Sequence, residues 1–550
     1  MINKYIKLQL AFIFVFSSLI AQKNKSATQS NSNTKPKLVV GLVVDQMRWD
    51  FLYRYHSMYG KGGFKRLLGE GFSCENTMIT HLPTYTAVGH TGVYTGAFPS
   101  IHGIVGNNWR DGKTGKKVYC TDDSTVSGVG SNNESGKMSP KNLQVNTIAD
   151  EMKLSNEFKS KTFGVSLKDR GAILPAGHSA DAAYWYDDKT GNWISSTYYM
   201  SQLPGWVESY NQKRLPDEWM KKDWETFLPV NNYIQSTIDN ADYEGNIPGE
   251  KNHAFPHELH NISDKKYSAL RYTPHGNALT IDFAKQIISN EKLGKDEYTD
   301  LLAISLSSPD YAGHTFGPNS VEIEDMYLRL DNELSVMLNF LDSAVGKGNY
   351  LFFLTADHGV SQVPEYLNSH RIPAGRVDTK SLQKEINDTI YNRFKIQDAI
   401  VEIENSQLYL NPSLKQEGGM NAFFVSQEVI KFLYEKPFVQ HVADIQHITS
   451  FTLPTKLTKL ISDSYFPGRS GDLQMFFKPN FIDGGKTGTT HGAWNPYDAH
   501  IPLVWFGAGI KQGKSYEQIQ MADIAPTLAS MLQIQTPNGT MGMVIEALFK

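Results

Sequence analysis

The 550-residue chain has only two cysteines, Cys74 and Cys120, and neither has a partner at metal-ligand spacing. That excludes a zinc ribbon, a thiolate cluster and a disulfide-dense scaffold. It has no basic excess either: 53 Lys and Arg stand against 57 Asp and Glu, a formal charge of −4. Nothing in that balance draws the chain to nucleic acid or to an anionic membrane, so any affinity for phosphate must come from a local site. No apolar run reaches the ~20 residues that a membrane-spanning helix needs. The run Leu8–Ala21 falls short of it, follows Lys4 and Lys7, and ends in a small residue. It reads as a secretory signal peptide over residues 1–21. Residues 22–37, rich in Lys, Ser, Thr and Asn, read as a flexible lead-in, with no lipobox cysteine for a lipid anchor. In an exported chain Cys74 and Cys120 are a disulfide candidate; two inert buried thiols are the alternative.

What is present points to a large folded core, with 40% apolar and 20% charged residues. Leu38–Val44, Thr162–Leu167, Asp300–Leu306, Tyr350–Thr355 and Ile501–Phe506 are strand-length apolar runs. Continuous runs of this kind suit strands buried on both faces. Apolar residues three and four apart predict helices over Val321–Leu341, Leu279–Ile288 and Ala522–Leu532. The alternation predicts an α/β fold with a doubly wound, mostly parallel central sheet flanked by helices over residues 38–550. Three stretches interrupt it and read as insertions: 108–140, 172–275, which holds five of the nine tryptophans, and 365–480. The tryptophan-rich one is a possible cap.

Open α/β sheets bind ligands at the carboxyl ends of their strands. Asp45, Lys168, Arg170, Asp310, His314, Asp357 and His358 follow predicted strands, and His491 sits in a loop before the last one. Asp310 and His314 share one face of a helical turn. Six carboxylates and imidazoles without a thiolate suit zinc, and six are too many for one tetrahedral ion with an open position. They divide into two sites of three, and a pair of zinc ions can clamp the attacking and leaving oxygens of a phosphoryl transfer. The nucleophile should begin a helix beside them, within Thr80–His90. A threonine there is ordinarily just an N-cap, although a helix N-terminus also favours an anion. Each of these residues alone would more often be structural; the set carries the reading. His253, His257 and His260 are set aside as surface histidines, and Gly485-Lys486-Thr487 lacks the first glycine of a P-loop.

Asp45, Thr86, Asp310-x-x-x-His314, Thr355-Ala356-Asp357-His358-Gly359 and His491, in this order, resemble the alkaline phosphatase superfamily, and most nearly its phosphate-irrepressible type. The likeness covers nearly the whole mature chain, including Asp523–Leu528. It implies that Asp310, His314 and His491 bind one Zn2+. It implies that Asp45, Asp357 and His358 bind a second, which activates Thr86 as nucleophile. Asn107, Lys168 and Arg170 would contact the phosphoryl oxygens, with the adjacent Asn108 competing for the role of Asn107. A third ion, Mg2+, is not expected, because Ser305 stands where the best-known branch has a glutamate; Lys168 would supply that charge. Ala87 and Val88 after Thr86 disfavour a sulfatase. Phosphodiesterase relatives usually lack a Lys168/Arg170 pair, which suits a doubly charged phosphoryl group. The expectation is a periplasmic or secreted, monomeric alkaline phosphatase acting on small phosphate monoesters through a phosphothreonine, broad in leaving group. The alternatives are a phosphodiesterase or nucleotide pyrophosphatase, and a non-catalytic exported protein that captures phosphate or metal.

Overall fold

Every residue of Leu38–Val44 (β1) is buried, and a strand with no polar face belongs inside a sheet covered on both sides. The computed structural model, which describes residues 35–415 and 420–550, places it in an eleven-stranded sheet. Its other strands are Phe72–Met78 (β2), Gly128–Val129 (β3), Thr162–Ser166 (β4), Ala182–Asp187 (β5), Asn192–Ser196 (β6), Asp300–Leu306 (β7), Tyr350–Thr355 (β8), His500–Ile501 (β9), Leu503–Gly507 (β10) and Gly513–Gln520 (β11). The spatial order is β9-β2-β10-β8-β1-β7-β4-β5-β6-β3, with β11 paired to β2. The middle strands β8, β1, β7, β4 and β5 run parallel. The margins are mixed: β10 joins β8, and β6 joins β5, antiparallel, while β11 runs parallel to β2. The turn from Asp187 to Asn192 is too short for the crossover that a parallel neighbour requires. Since β5 and β6 belong to the sheet, the tryptophan-rich stretch begins inside it, and Trp185 and Trp193 are buried strand residues.

The helices that matter for the site are Thr86–Thr95 (α1), Asp169–Ala176 (α2), Pro274–Asn290 (α3), Ser308–Phe316 (α4), Val321–Leu341 (α5) and Ile524–Leu532 (α6). Along β5, Ala183 and Trp185 cluster with Ala172, Ile173 and Ala176 of α2. The intervening Tyr184 meets Phe283 of α3 edge-on at 5.5 Å. Successive strand residues face opposite ways, so α2 and α3 cover opposite faces and the sheet is doubly wound. The predicted periodicity of α5 holds: Ile323, Met326, Leu330, Leu334, Met337, Leu338 and Leu341 are buried, and Ser320 caps the helix through the Ile323 N–H at 3.2 Å. Residues 365–480 contain a separate antiparallel sheet of Ile400–Glu404, Gln407–Leu410, Leu473–Phe477 and Val439–Asp444 in that spatial order, with its own apolar cluster.

Register sets the position of the site. Val43 lies opposite both Ser305 and Thr355, and Ser166 lies opposite Ser305. Strands β1, β4, β7 and β8 therefore end level, and the residues that follow them emerge side by side.

Two expectations are corrected. Cys74 and Cys120 are both free and buried. Cys74 is a β2 residue in the cluster around the main sheet, whereas Cys120 packs with Ile104, Trp109 and Leu143 in another, so no disulfide joins them. Burial pushes both thiols up to about 12, which leaves them unreactive. His257 is not a surface histidine: it is fully buried between Glu250 (3.0 Å) and Glu322 (3.3 Å). The signal-peptide assignment lies outside the described residues. Among the described residues no helix is long and apolar enough to cross a membrane.

Asp150 illustrates how the loops around the sheet are pinned. It completes the capping box of helix Ile148–Leu154 with Thr147, and accepts the Ser179 N–H (2.8 Å) and hydroxyl (2.6 Å). Burial opposes its charge, but the donors from His178, Ser179 and Thr147 prevail and hold its pKa down to about 2. A depressed folded-state pKa stabilises the fold above the ordinary aspartate value, and the gain is lost as pH falls through the folded one. Asp150→Asn should therefore cost about 2 kcal/mol at pH 7 and roughly half that at pH 3, read from urea unfolding at the two pH values.

Candidate active site

Thr86 opens α1, with Tyr85 as the N-cap. It is therefore not the cap itself, and its hydroxyl is free for other work at the positive end of a helix. Its Oγ1 lies 3.5 Å from Lys168 Nζ and 3.5 Å from His358 Nε2. The helix is pressed against the loop after β8: a Cβ on Gly89 would come within 2.2 Å of the Asp357 carbonyl oxygen.

The loops at the level strand ends bring the other predicted residues to this hydroxyl. Lys168 Nζ bridges Asp45 Oδ2 (2.6 Å) and Asp310 Oδ2 (2.5 Å). His358 Nε2 is 3.4 Å from Asp45 Oδ1 and 3.4 Å from Asp357 Oδ2. His314 Nε2 and His491 Nε2 approach Asp310 Oδ1 at 3.2 and 3.4 Å. His358 stacks on His491 with ring centres 3.6 Å apart. Ligand atoms of Asp45, Asp357 and His358 lie within 4.8 Å of one another, as do those of Asp310, His358 and His491. Five of the six predicted ligands fall in these two groups, with His358 in both; His314 joins them through Asp310, and His358 brings the set to Thr86, although they come from positions 45 to 491.

The donor set fits a pair of cations. His358 Nδ1 donates to the Gly359 carbonyl (2.9 Å), His314 Nδ1 to the Thr489 carbonyl (2.9 Å) and His491 Nδ1 to the Thr84 carbonyl (2.6 Å). Carbonyl oxygens only accept, so each ring carries its proton on Nδ1. In the neutral ring the Nε2 lone pair then faces a carboxylate oxygen, which is repulsive unless a positive charge lies between them. Burial pushes His358 down to about 3 and lowers His491, so these two rings do not supply that charge themselves. Burial also disfavours a charged His314, but Asp310 outweighs it and raises its pKa. Asp45 Oδ1 and Asp357 Oδ2 are buried without a hydrogen-bond donor. Burial, with Asp310 and Asp357 close by, raises Asp45 well above the usual carboxylate range. Lys168 is pulled the other way: burial lowers it, but Asp310 and Asp45 hold it above the ordinary lysine value. One ammonium for three buried carboxylates is too little compensation, and a dication in each triad would complete it.

The phosphoryl contacts predicted from sequence lie around the same point. Asn107 accepts the Ala87 N–H through Oδ1 at 3.0 Å, which ties it to the first turn of α1 and leaves its NH2 to donate. Asn108 belongs instead to strand Asn108–Arg110 and pairs with Tyr119. Arg170 donates to the Tyr119 hydroxyl (3.0 Å), which donates in turn to Asp169 (2.8 Å), so Asp169 stands behind Arg170. The decoy Lys486 is exposed and no helix opens there.

Other residues of the site escaped the sequence reading. Gln46 donates to Asp310 Oδ1 (2.7 Å), and its own N–H to Asp357 Oδ1 (3.1 Å). His90 donates to the Thr86 carbonyl (2.9 Å), accepts the Ser305 hydroxyl (2.8 Å) and lies 3.2 Å from Asp357 Oδ2. The one available signal was spacing: His90 is four residues after Thr86 on the same helical face.

These observations define a class: an α/β fold of the alkaline phosphatase superfamily, with two groups of carboxylates and imidazoles beside a threonine. A family model described as "Type I phosphodiesterase / nucleotide pyrophosphatase" matches residues 39–420, and the chain belongs to that family. It is 46% identical to the "Alkaline phosphatase PhoV" of Synechococcus elongatus, over all of both chains. It is 47% identical to a Myroides odoratus protein named "Calcium-transporting ATPase", over 93% of this chain and 94% of that one. It is 44% identical to "Alkaline phosphatase PafA" of Elizabethkingia meningoseptica, over 96% of this chain and 97% of that one. The crystal structure of wild-type PafA superposes with a TM-score of 0.91, covering 94% of this chain and 99% of that one. A solved variant of PafA is changed at one threonine, one asparagine, one lysine and one arginine.

Gly89→Ala should destabilise the chain by about 1–3 kcal/mol, because α1 must move off the Asp357 carbonyl. Gly69→Ala, in a helix with nothing within 4 Å of the added carbon, should be neutral or stabilising. Thermal unfolding of the two variants side by side checks the contrast.

Proposed function

We propose that this chain hydrolyses phosphate monoesters, with Thr86 as nucleophile and two Zn2+ held by Asp45, Asp357 and His358 and by Asp310, His314 and His491. The observation that carries the reading is the Thr86 hydroxyl within 3.5 Å of both Lys168 and His358, at the junction of the two triads. The donor chemistry favours zinc, since it offers carboxylate and imidazole and no thiolate. When bound, the two ions would act as Lewis acids toward the attacking and leaving oxygens.

The chain's own residues supply position and charge. Asn107, Lys168 and Arg170 hold the non-bridging oxygens of the phosphoryl group, and the N-terminus of α1 adds its dipole. Lys168 stays protonated between Asp45 and Asp310, so it binds an anion rather than accepting a proton. Thr86 Oγ attacks phosphorus in line and gives up its proton to solvent; the new Oγ–P bond forms as the ester P–O bond breaks, and the departing oxygen takes up a proton from solvent. Water then attacks the phosphothreonine from the opposite side, releasing inorganic phosphate and the threonine hydroxyl. His90 positions Thr86 and Asp357, and Gln46 positions Asp310. The names of PhoV and PafA support a phosphomonoesterase, and the threonine, asparagine, lysine and arginine changed in the PafA variant are the residue types assigned roles here. The family also includes phosphodiesterases by its description. The Lys168/Arg170 pair favours the doubly charged monoester over the singly charged diester. An exported location and activity at alkaline pH belong to the same reading.

Thr86→Ala should lower turnover of phenyl phosphate about a thousandfold or more while the protein keeps its metal, checked by steady-state kinetics and elemental analysis of one preparation. Unchanged turnover would remove Thr86 from the mechanism. Lys168→Ala should lower kcat/KM for an aryl monoester at least tenfold more than for the matching methyl aryl diester. A wild-type preference for the diester would reassign the activity.

A further inference from the structure

A cavity of about 300 Å³ opens beside Lys168 and Arg170, and its far wall carries a second guanidinium, that of Arg271. Tyr119, Tyr186 and Tyr311 line it with Asp188. Arg271 is firmly held. It donates to Ser268 Oγ (2.9 Å) and carbonyl (3.4 Å) and to the Tyr311 hydroxyl (3.1 Å), and its Nη2 pairs with Asp188 Oδ2 at 2.7 Å. Its guanidinium also lies over the Tyr311 ring, 4.8 Å from the centroid. The three hydrogen bonds and the ion pair leave an N–H on Nη1 free, on a side chain that remains 19% exposed. Lys168 Nζ lies 4.9 Å from the centroid of the same ring. One aromatic ring therefore links the lysine that meets the phosphoryl group to a cation farther along the cavity wall. Nothing in the phosphoryl-transfer chemistry requires that second cation.

We propose that this cavity is the leaving-group subsite, and that Arg271 selects esters whose leaving group carries its own negative charge, a carboxylate or a second phosphate. The inference rests on the monoesterase reading. The volume matches a small ligand: the phosphoryl group sits at Lys168 and Arg170, and a leaving group of a few carbons or one ring extends between the tyrosines toward Arg271. Asp188 tempers the charge of Arg271 without cancelling its free N–H, so neutral leaving groups still enter. A fixed guanidinium facing a carboxylate or phosphate is worth a factor of about ten or more in binding.

The test compares kcat/KM for phenyl phosphate and 4-carboxyphenyl phosphate in the wild type, Arg271→Gln and Arg271→Lys. The expected result is that the anionic-to-neutral ratio falls about tenfold in Arg271→Gln and is partly restored in Arg271→Lys, which keeps the charge. A ratio that stays put in Arg271→Gln, even if both rates drop together, makes Arg271 a structural support of Tyr311 and overturns the proposal. Wild-type protein that turns over neither ester overturns the monoesterase reading as well.

Discussion

Three carboxylates, Asp45, Asp310 and Asp357, are driven into one buried point at the carboxyl edge of the sheet, and the rest of the structure answers to their charge. Such a cluster is costly to bury without compensation. Lys168 neutralises part of it by bridging Asp45 and Asp310, and Gln46 and His90 contribute hydrogen bonds or position. Three imidazoles turn their Nε2 lone pairs inward because backbone carbonyls hold their Nδ1 protons. An arrangement so poor in internal cations suits a metal site, and in the proposed reaction Thr86 stands beside it.

The sheet makes this crowding possible. Parallel strands of matched register end level, so residues far apart in sequence emerge as neighbours. The remaining member of the cluster, His491, has no strand of its own in the parallel core and is brought in by a stitched loop. Thr489 donates its N–H to the His314 carbonyl (3.0 Å) and accepts from that residue's ring. Gly488, at φ +65°, passes so close that a Cβ would lie 1.9 Å from the His314 carbonyl oxygen. The His314 carbonyl thus anchors the loop that carries His491, and that loop's Thr489 carbonyl orients the His314 ring.

The cluster of carboxylates and imidazoles was legible in the sequence because chemistry that needs such groups at strand ends leaves few ways to write it, and because the order of Asp45, Thr86, Asp310, His314, Asp357, His358 and His491 resembles a known superfamily. The parallel core was legible from its unbroken apolar runs. Residues that act by hydrogen bonding were not, since Gln46 and His90 look like any polar residue near a loop or inside a helix. Arg271 was hidden for the same reason. The antiparallel margins were missed because short strands such as Asn192–Ser196 carry too little periodicity to separate from an insertion. The cysteines misled in the other direction: export allows a disulfide, but separate apolar clusters keep Cys74 and Cys120 apart.

The central claim is that two cations complete the charge of this cluster beside Thr86. Anomalous diffraction from crystals of the purified protein, recorded above and below the zinc absorption edge, tests it directly. The account predicts two peaks about 4 Å apart, one among Asp45, Asp357 and His358 and the other among Asp310, His314 and His491. A single peak, or none in crystals grown with excess zinc, would contradict it.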